Sequence, residues 1–322
     1  MAKKIVLVTG ATGFVGSNIV RRLVEEKKFA VHILARKISN FWRIRDLLNE
    51  VNLHEVALAE STLLKRTIKT IKPEVIFHLA NAPLYQGTQS KKSDYINTNF
   101  AGTVNLIDAC GEVNYKCFVN TGSSAEYGPK NRPMRETDVC LPLSLYAVSK
   151  LAGTTYSHYI GKTTSHPIIN FRLFSPFGPY DDPKRLIVEI IANALQNKPI
   201  FLSIKEAVRD YIYINDVVDA YLAVIERADK YKGGIFNIGS GRETRVKEVV
   251  ETVLKLTDSK SKIKWGVFSS RSFESPKWQA DITKTKRYLR WWPRYSLEKG
   301  LKETINWFRK NISLYEGQVR EF

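Results

Sequence analysis

The chain has 322 residues, 43% of them hydrophobic, enough to bury a large core as one big α/β unit or two unequal domains. Its net charge of +18 is spread thinly, in pairs such as Lys27 with Lys28 and Lys91 with Lys92, and no RNP, zinc-finger or homeodomain pattern accompanies it; it reads as a solvated basic surface, not a nucleic-acid site. No apolar run approaches the ~20 residues of a membrane span, "MAKKIVLVTG" reaches glycine too early for a signal peptide, and Cys110, Cys117 and Cys140 lack zinc-site spacing, so a cytoplasmic protein with reduced thiols and no metal is expected.

In chain order, short β-branched runs alternate with amphipathic stretches: "KIVLVTG", a helix over Ser17 to Glu26, "AVHILA", Phe41 to Asn49, "NLHEVAL", Ser61 to Ile71 and "EVIFHLA". That rhythm continues through a long helical segment from Asp94 to Val113, the strand "KCFVNTG", a helix over Ser144 to Tyr159 and the strand "PIINFRLF". It predicts an α/β fold: a doubly wound parallel sheet of the Rossmann type, with about seven strands and helices on both faces. After residue 174 the rhythm breaks, at the proline- and glycine-rich "SPFGPYDDPKR". The expected division is a dinucleotide-binding domain over 1–174 and a smaller, irregular substrate lobe over 175–322, with 209–245 returning to the first domain.

The first strand runs into "TGATGFVG", which places Gly10, Gly13 and Gly16 at a strand-to-helix junction. Glycines there permit a tight turn and a close backbone approach, so a pyrophosphate can rest on the amides and positive dipole of the helix start. At the end of the second strand an acidic residue would bind the ribose hydroxyls of NAD, but none lies between Ile33 and Asn40. Arg36 and Lys37 can instead neutralise a 2′-phosphate, with Ser39 adding a hydrogen bond. NADP is the expected cofactor, and NAD stays possible if Arg36 only stacks on adenine or lies in solvent.

Further on, "LYAVSK" puts Tyr146 and Lys150 at i and i+4, on one helix face. A phenol ionises near pH ~10, and bringing it toward neutrality takes about 4 kcal/mol of anion stabilisation. One cation at ~4 Å in an effective dielectric of ~20 supplies about that much. Tyr127 has Asn131 four residues on and a turn behind it, so Tyr146 is the better acid/base.

Taken together, "TGATGFVG", "FHLA", "NTNFAGTVNLIDA", "SSAEYG", "YAVSK", "FRLFSPFGP", "RDYIYINDV", "FNIGSG" and "ADITKTKRYLRWWP" resemble, in order, the extended short-chain dehydrogenases/reductases of the nucleotide-sugar epimerase, dehydratase and reductase type. The resemblance covers nearly the whole chain. It implies Ser123 as the hydroxyl that binds the reacting C4 oxygen beside Tyr146, with Lys150 also gripping the nicotinamide ribose. It implies a cofactor site in which Thr12, Phe14 and Val15 join the glycines, with Leu58, Leu79, Ala80 and Asn81, Asn99 supporting the active-site helix, and Phe174 to Phe177 bordering the nicotinamide. A nucleotide-diphosphate sugar would meet Ser123, Ser124, Ala125 and Ser175, with Arg209 at the nucleotide and Arg271 at the diphosphate. For Arg209 the other reading is an ion pair with Asp210 or Asp216. His78 would stand near the cofactor, while His32, His54, His158 and His166 pack or face water. A homodimer through the helices of Asp94 to Val113 and Ser144 to Tyr159 is also implied.

Departures from the pattern narrow the chemistry. Sugar 4,6-dehydratases of this type carry an acidic pair where Ser124 and Ala125 stand, and Ala125 cannot act as acid or base. Ala57 replaces an acidic residue near adenine, and Ser175 replaces an asparagine. Glu126 either binds a sugar hydroxyl or caps a neighbouring loop. "GSSAEYG" looks most like reductases of 4-keto-6-deoxy nucleotide sugars, including CDP-abequose and CDP-paratose synthases. The expected activity is therefore NADPH-dependent reduction at C4. A 4-epimerase is the alternative with the same residues, and a catalytically silent NADP sensor or scaffold is a third reading.

Overall fold

The computed structural model describes residues 2–82, 91–203, 206–267 and 277–315. The first half builds β1 (Lys4–Thr9), α1 (Phe14–Glu25), β2 (Phe29–Ala35), β3 (Asn52–Glu55), α2 (Ser61–Ile71), β4 (Val75–His78), α3 (Gly102–Cys110), β5 (Cys117–Ser123), α4 (Leu145–Thr163) and β6 (Ile168–Leu173). In the second half α5 (Leu186–Leu195) and α6 (Ile214–Val224) precede β7 (Ile235–Ile238), and α7 (Val246–Thr257), α8 (Thr283–Leu289) and α9 (Leu297–Asn311) follow it.

The seven strands form one parallel sheet in the order β7-β6-β5-β4-β1-β2-β3. Side chains alternate across it, as the two-residue strand period requires. Val6, Val8, Val75 and Phe77 pack into the core shared with α1 and α6, whereas Leu7, Ile76 and Phe118 join the core under α2 and α3. Burial on both faces explains why β4, "VIFH", is buried along its whole length and opens on three apolar residues without alternation. β3 is an edge strand and mostly exposed. The seventh strand comes from the 209–245 stretch: β7 pairs with β6, and α6 packs on α1.

From β1 the chain winds outward through β2 to β3, then returns to place β4 on the other side of β1. That reversal opens a crevice beyond the carboxyl ends of β1 and β4, where doubly wound sheets bind their ligands.

Three local expectations need correction. The Phe41 to Asn49 stretch forms no α-helix; a short 3-10 turn runs over Arg45–Glu50 instead. The long helix over Asp94 to Val113 is interrupted, because Tyr95–Ala101 is wound as a π-helix before α3 begins. Helix α1 starts at Phe14, three residues before Ser17, because Gly13 serves as its N-cap.

Candidate active site

The crevice is a cleft of about 300 Å³ lined from both halves of the chain. Gly10, at φ +68°, turns the chain out of β1. A Cβ on it would stand 2.6 Å from the backbone of Leu79 and Ala80, so glycine lets the ends of β1 and β4 close together. A Cβ on Gly16 would strike the carbonyl oxygen of Gly10. Helix α1 has no side-chain cap on Gly13 and no acidic residue in its first turn, so its leading N–H groups and positive dipole point into the cleft. This cradle fits a dinucleotide pyrophosphate.

A buried relay stiffens the adjoining end of β4. Thr103 Oγ1 donates to the carbonyl of Asn99 at 2.8 Å, so toward His78 Nε2, 2.9 Å away, it accepts. His78 Nδ1 then accepts from Thr9 Oγ1 at 2.7 Å, and Thr9 Oγ1 receives the Ala80 N–H at 3.3 Å. Burial pushes His78 down to about 3, which keeps the ring neutral. Its role is to hold the Leu79–Ala80 backbone beside the glycine loop.

Asn99 works in the same way, from the π-helical turn. Its Oδ1 accepts the Ala82 N–H at 2.8 Å and its Nδ2 donates to Ser149 Oγ at 2.9 Å. It is buried and does not line the cleft, so its hydrogen bonds position α4 and the loop after β4.

Helix α4 starts on Ser144, whose Oγ accepts the Ala147 N–H at 3.2 Å. The helix turns Tyr146 and Lys150 toward the cleft, and the end of β5 delivers Ser123 to the same space. The Tyr146 ring meets Tyr95 edge-on, with centroids 6.3 Å apart. Lys150 is buried, and desolvation pulls it down to about 8 against the opposing pull of Glu126.

Of the expected site residues, Gly10, Gly13, Phe14, Val15, Gly16, Leu79, Asn81, Ser123, Ser124, Ala125, Tyr146, Lys150, Phe174 and Ser175 line the cleft. Ala80 and Thr12 lie in its supporting backbone, the Thr12 carbonyl accepting Arg43 Nη1 at 3.3 Å. Leu58 packs against Gly102 and is not part of the lining. Arg36 and Lys37 are exposed just beyond β2, where Ser39 Oγ accepts the Arg36 N–H at 3.0 Å and closes the turn. Arg271 lies outside the described residues.

Two expectations are overturned. Phe177 is 1% exposed and packs on Tyr211 and Tyr213, so it belongs to the core and cannot border a nicotinamide. Glu126 is wholly buried and cannot reach a sugar. Its carboxylate accepts the Ser123 N–H at 2.8 Å and pairs with Arg172 Nε at 2.8 Å, the loop-capping alternative.

The cleft also holds residues that sequence reasoning missed. Trp278 donates its indole N–H to Ser124 Oγ at 3.1 Å, and the Arg209 guanidinium lies 5.4 Å from the indole ring centre. The carboxylates of Asp210 and Asp216 instead accept backbone N–H groups, of Ser240, Gly241 and Ala280 for the first and of Arg294 and Tyr295 for the second. Arg185, N-cap of α5, lines the cleft while pairing with the buried Asp181 at 3.2 Å. The only signal for Trp278 was a large aromatic within the polar "SPKWQAD"; Arg185 had none. Among the described lining residues Lys150 and Arg185 are cationic and none is acidic. The arrangement can bind an anionic ligand and pass a proton through Tyr146, but among the described lining residues there is no carboxylate for removing a carbon-bound proton.

Residues 6–239 match the NAD dependent epimerase/dehydratase family. The chain belongs to that family. This epimerase/dehydratase-family enzyme is 29% identical over 322 residues to the UDP-glucuronate 4-epimerase of Thermodesulfobacterium geofontis, covering 96% of this chain and 97% of that one. Its fold superposes on the UDP-glucose 4-epimerase of Thermotoga maritima, solved with UDP-glucose, at a TM-score of 0.84, with 26% identity over 96% of this chain and 99% of that one. It superposes on the dTDP-glucose 4,6-dehydratase of Bacillus anthracis, solved with NAD, at a TM-score of 0.86, with 26% identity over 96% and 98% of the two chains. The family enzyme is thus of the extended short-chain dehydrogenase/reductase type, and no described helix is long and apolar enough to cross a membrane.

Proposed function

We propose that this enzyme reduces a nucleotide-linked 4-ketohexose, of the 6-deoxy type, at C4 with NADPH. The observation that carries the chemistry is the convergence of Ser123, Tyr146 and Lys150 on a cleft whose described lining has no carboxylate. Ser123 Oγ and the Tyr146 hydroxyl hold the carbonyl oxygen, and Tyr146 gives its proton to the oxygen as the alkoxide forms. Lys150, on the same face of α4, stabilises the phenolate left behind. A bound nicotinamide supplies the hydride. The glycine turn and the start of α1 hold its pyrophosphate, and Arg185 adds a cation suited to the diphosphate of the sugar nucleotide.

NADP is supported by the exposed Arg36 and Lys37 at the tip of β2 and by the absence of an acidic residue there. The second reading, a 4-epimerase working with NAD, is favoured by the UDP-glucuronate 4-epimerase and the UDP-glucose 4-epimerase to which the chain is similar. A homodimer is supported by the exposed Ile96, Val148 and Tyr159 on the helical segments of 95–101 and α4.

The test incubates the protein with UDP- and CDP-linked 4-keto-6-deoxyglucose and with UDP-glucose and UDP-glucuronate, following NADPH and NADH absorbance and product. Stoichiometric NADPH oxidation with a 4-keto sugar supports the reductase. A 4-epimer formed without net oxidation establishes the epimerase instead. Arg36→Glu should lower the NADP-to-NAD ratio of kcat/KM by about tenfold or more, the loss of one charge-assisted phosphate contact. Tyr146→Phe should lower kcat by about 10²-fold or more.

A further inference from the structure

Glu126 is, among the described residues, the carboxylate buried directly behind the proposed catalytic residues, and its surroundings are built around it. Both oxygens are occupied: Oε2 meets Arg172 Nε at 2.8 Å, while Oε1 accepts the Ser123 N–H at 2.8 Å and Thr154 Oγ1 at 3.0 Å. Gly122 makes room for it, since a Cβ there would strike Glu126 Oε1 and come within 2.8 Å of Thr154 Oγ1. Arg172 enters from β6, in register with Gly122, and its guanidinium is stacked 4.4 Å from the Tyr127 ring centre. Tyr127 is fixed in turn by its hydroxyl, which donates to Asn237 Oδ1 at 2.6 Å.

The spacing on α4 gives this network its meaning. Tyr146, Lys150 and Thr154 follow one another at i, i+4 and i+8, so they form one stripe along the helix. The same oxygen of Glu126 that holds Thr154, one turn beyond Lys150, holds the backbone of Ser123 at the end of β5. We infer that Glu126 is a positioning residue, whose buried carboxylate ties Ser123 to the Tyr146–Lys150 face of α4. The catalytic roles of Ser123, Tyr146 and Lys150 are those of the proposed function, and the inference rests on them.

The charged and titratable groups around Lys150 differ in sign, and the carboxylate among them is Glu126. His78 on β4 is neutral, Tyr146 shares the stripe, and Arg172 stands on the far side of Glu126, with Cys140 behind it. Glu126 is the group that raises Lys150 against the desolvation that draws it down to about 8.

The test follows the ¹³Cε resonance of Lys150 in full-length protein labelled with ¹³C-lysine, assigned by its loss in Lys150→Met. Glu126→Gln keeps an oxygen for the Ser123 and Thr154 donors but removes the charge, and should lower the Lys150 midpoint by about one pH unit. Because Glu126→Gln strands a buried guanidinium, Glu126→Gln/Arg172→Gln is measured beside it. The double variant should recover wild-type thermal stability, yet keep the Lys150 midpoint below wild type and the kcat reduced, with KM little changed. A Lys150 midpoint that stays at the wild-type value in both variants, or a kcat that returns together with stability, overturns the inference. Should Tyr146→Phe retain turnover, the catalytic reading fails by itself, whereas a silent Tyr146→Phe with an unmoved Lys150 midpoint rejects Glu126 alone.

Discussion

The carboxamide of Asn99 donates to Ser149 Oγ at 2.9 Å, joining the π-helical turn to the helix that carries Tyr146 and Lys150. Ser149 Oγ in turn donates to the Tyr146 carbonyl at 2.8 Å, so the link ends on the backbone of the proposed acid itself. Asn99→Ala removes this bond and the one to Ala82. The expected cost is about 2 kcal/mol of stability, since two buried partners are left unmade, together with a kcat lowered about tenfold at nearly constant KM. Urea midpoints and steady-state kinetics measure both; a variant with wild-type kcat would show that α4 needs no such tie.

The glycine turn gives a sharper outcome. Because a Cβ on residue 16 would strike the Gly10 carbonyl, Gly16→Ala must push the start of α1 off β1. Affinity for the dinucleotide should fall about 100-fold or more, as the amides proposed to face the pyrophosphate are displaced. Calorimetric titration with NADP⁺ and NAD⁺ reads this directly, and affinity within twofold of wild type would place the pyrophosphate elsewhere.

Lys150 sets an expectation for the pH profile. Its buried ammonium ionises at about 8, well below an ordinary lysine, because desolvation disfavours the charged form. Turnover that needs this charge should therefore decline on the basic side with a midpoint near pH 8. Lys150→Met should abolish that limb along with most of the activity. A profile flat to pH 10 would mean that the lysine charge is not used.

His78 predicts an acid sensitivity of the fold. Its folded-state value of about 3 lies below the 6.5 of the ordinary imidazole, because burial penalises the charged ring. Between those two values the unfolded chain binds the proton and the folded one does not. Stability from this group is therefore complete above about pH 6.5 and declines as the pH falls toward 3. His78→Gln should flatten the dependence of Tm on pH between about 4 and 6.5, even where its Tm at pH 7 is lower. Parallel curves for the two proteins would assign the acid sensitivity to other groups.

Much of the site was legible in the chain because its determinants are local. The spacing of Gly10, Gly13 and Gly16 places three glycines at one strand-to-helix turn, whatever the rest of the molecule does. The four-residue interval from Tyr146 to Lys150 puts them on one face of any α-helix. The π-helical stretch at Tyr95–Ala101 was not legible: it inserts an extra residue per turn, and Asn99 within it is held by Ala82 and Ser149, distant in sequence.

By itself the sequence determined the parallel α/β sheet, the glycine turn between β1 and α1 and the Tyr146–Lys150 stripe, since periodicity and glycine spacing act over a few residues. Only the tertiary structure decided that Glu126 points inward, that Phe177 joins the core, and that Trp278 and Arg185 reach the cleft. A carboxylate in a 3-10 turn can face solvent or interior equally well. The choice falls to Arg172, 46 residues further on, which β6 brings into register beside it so that the buried charge finds its partner.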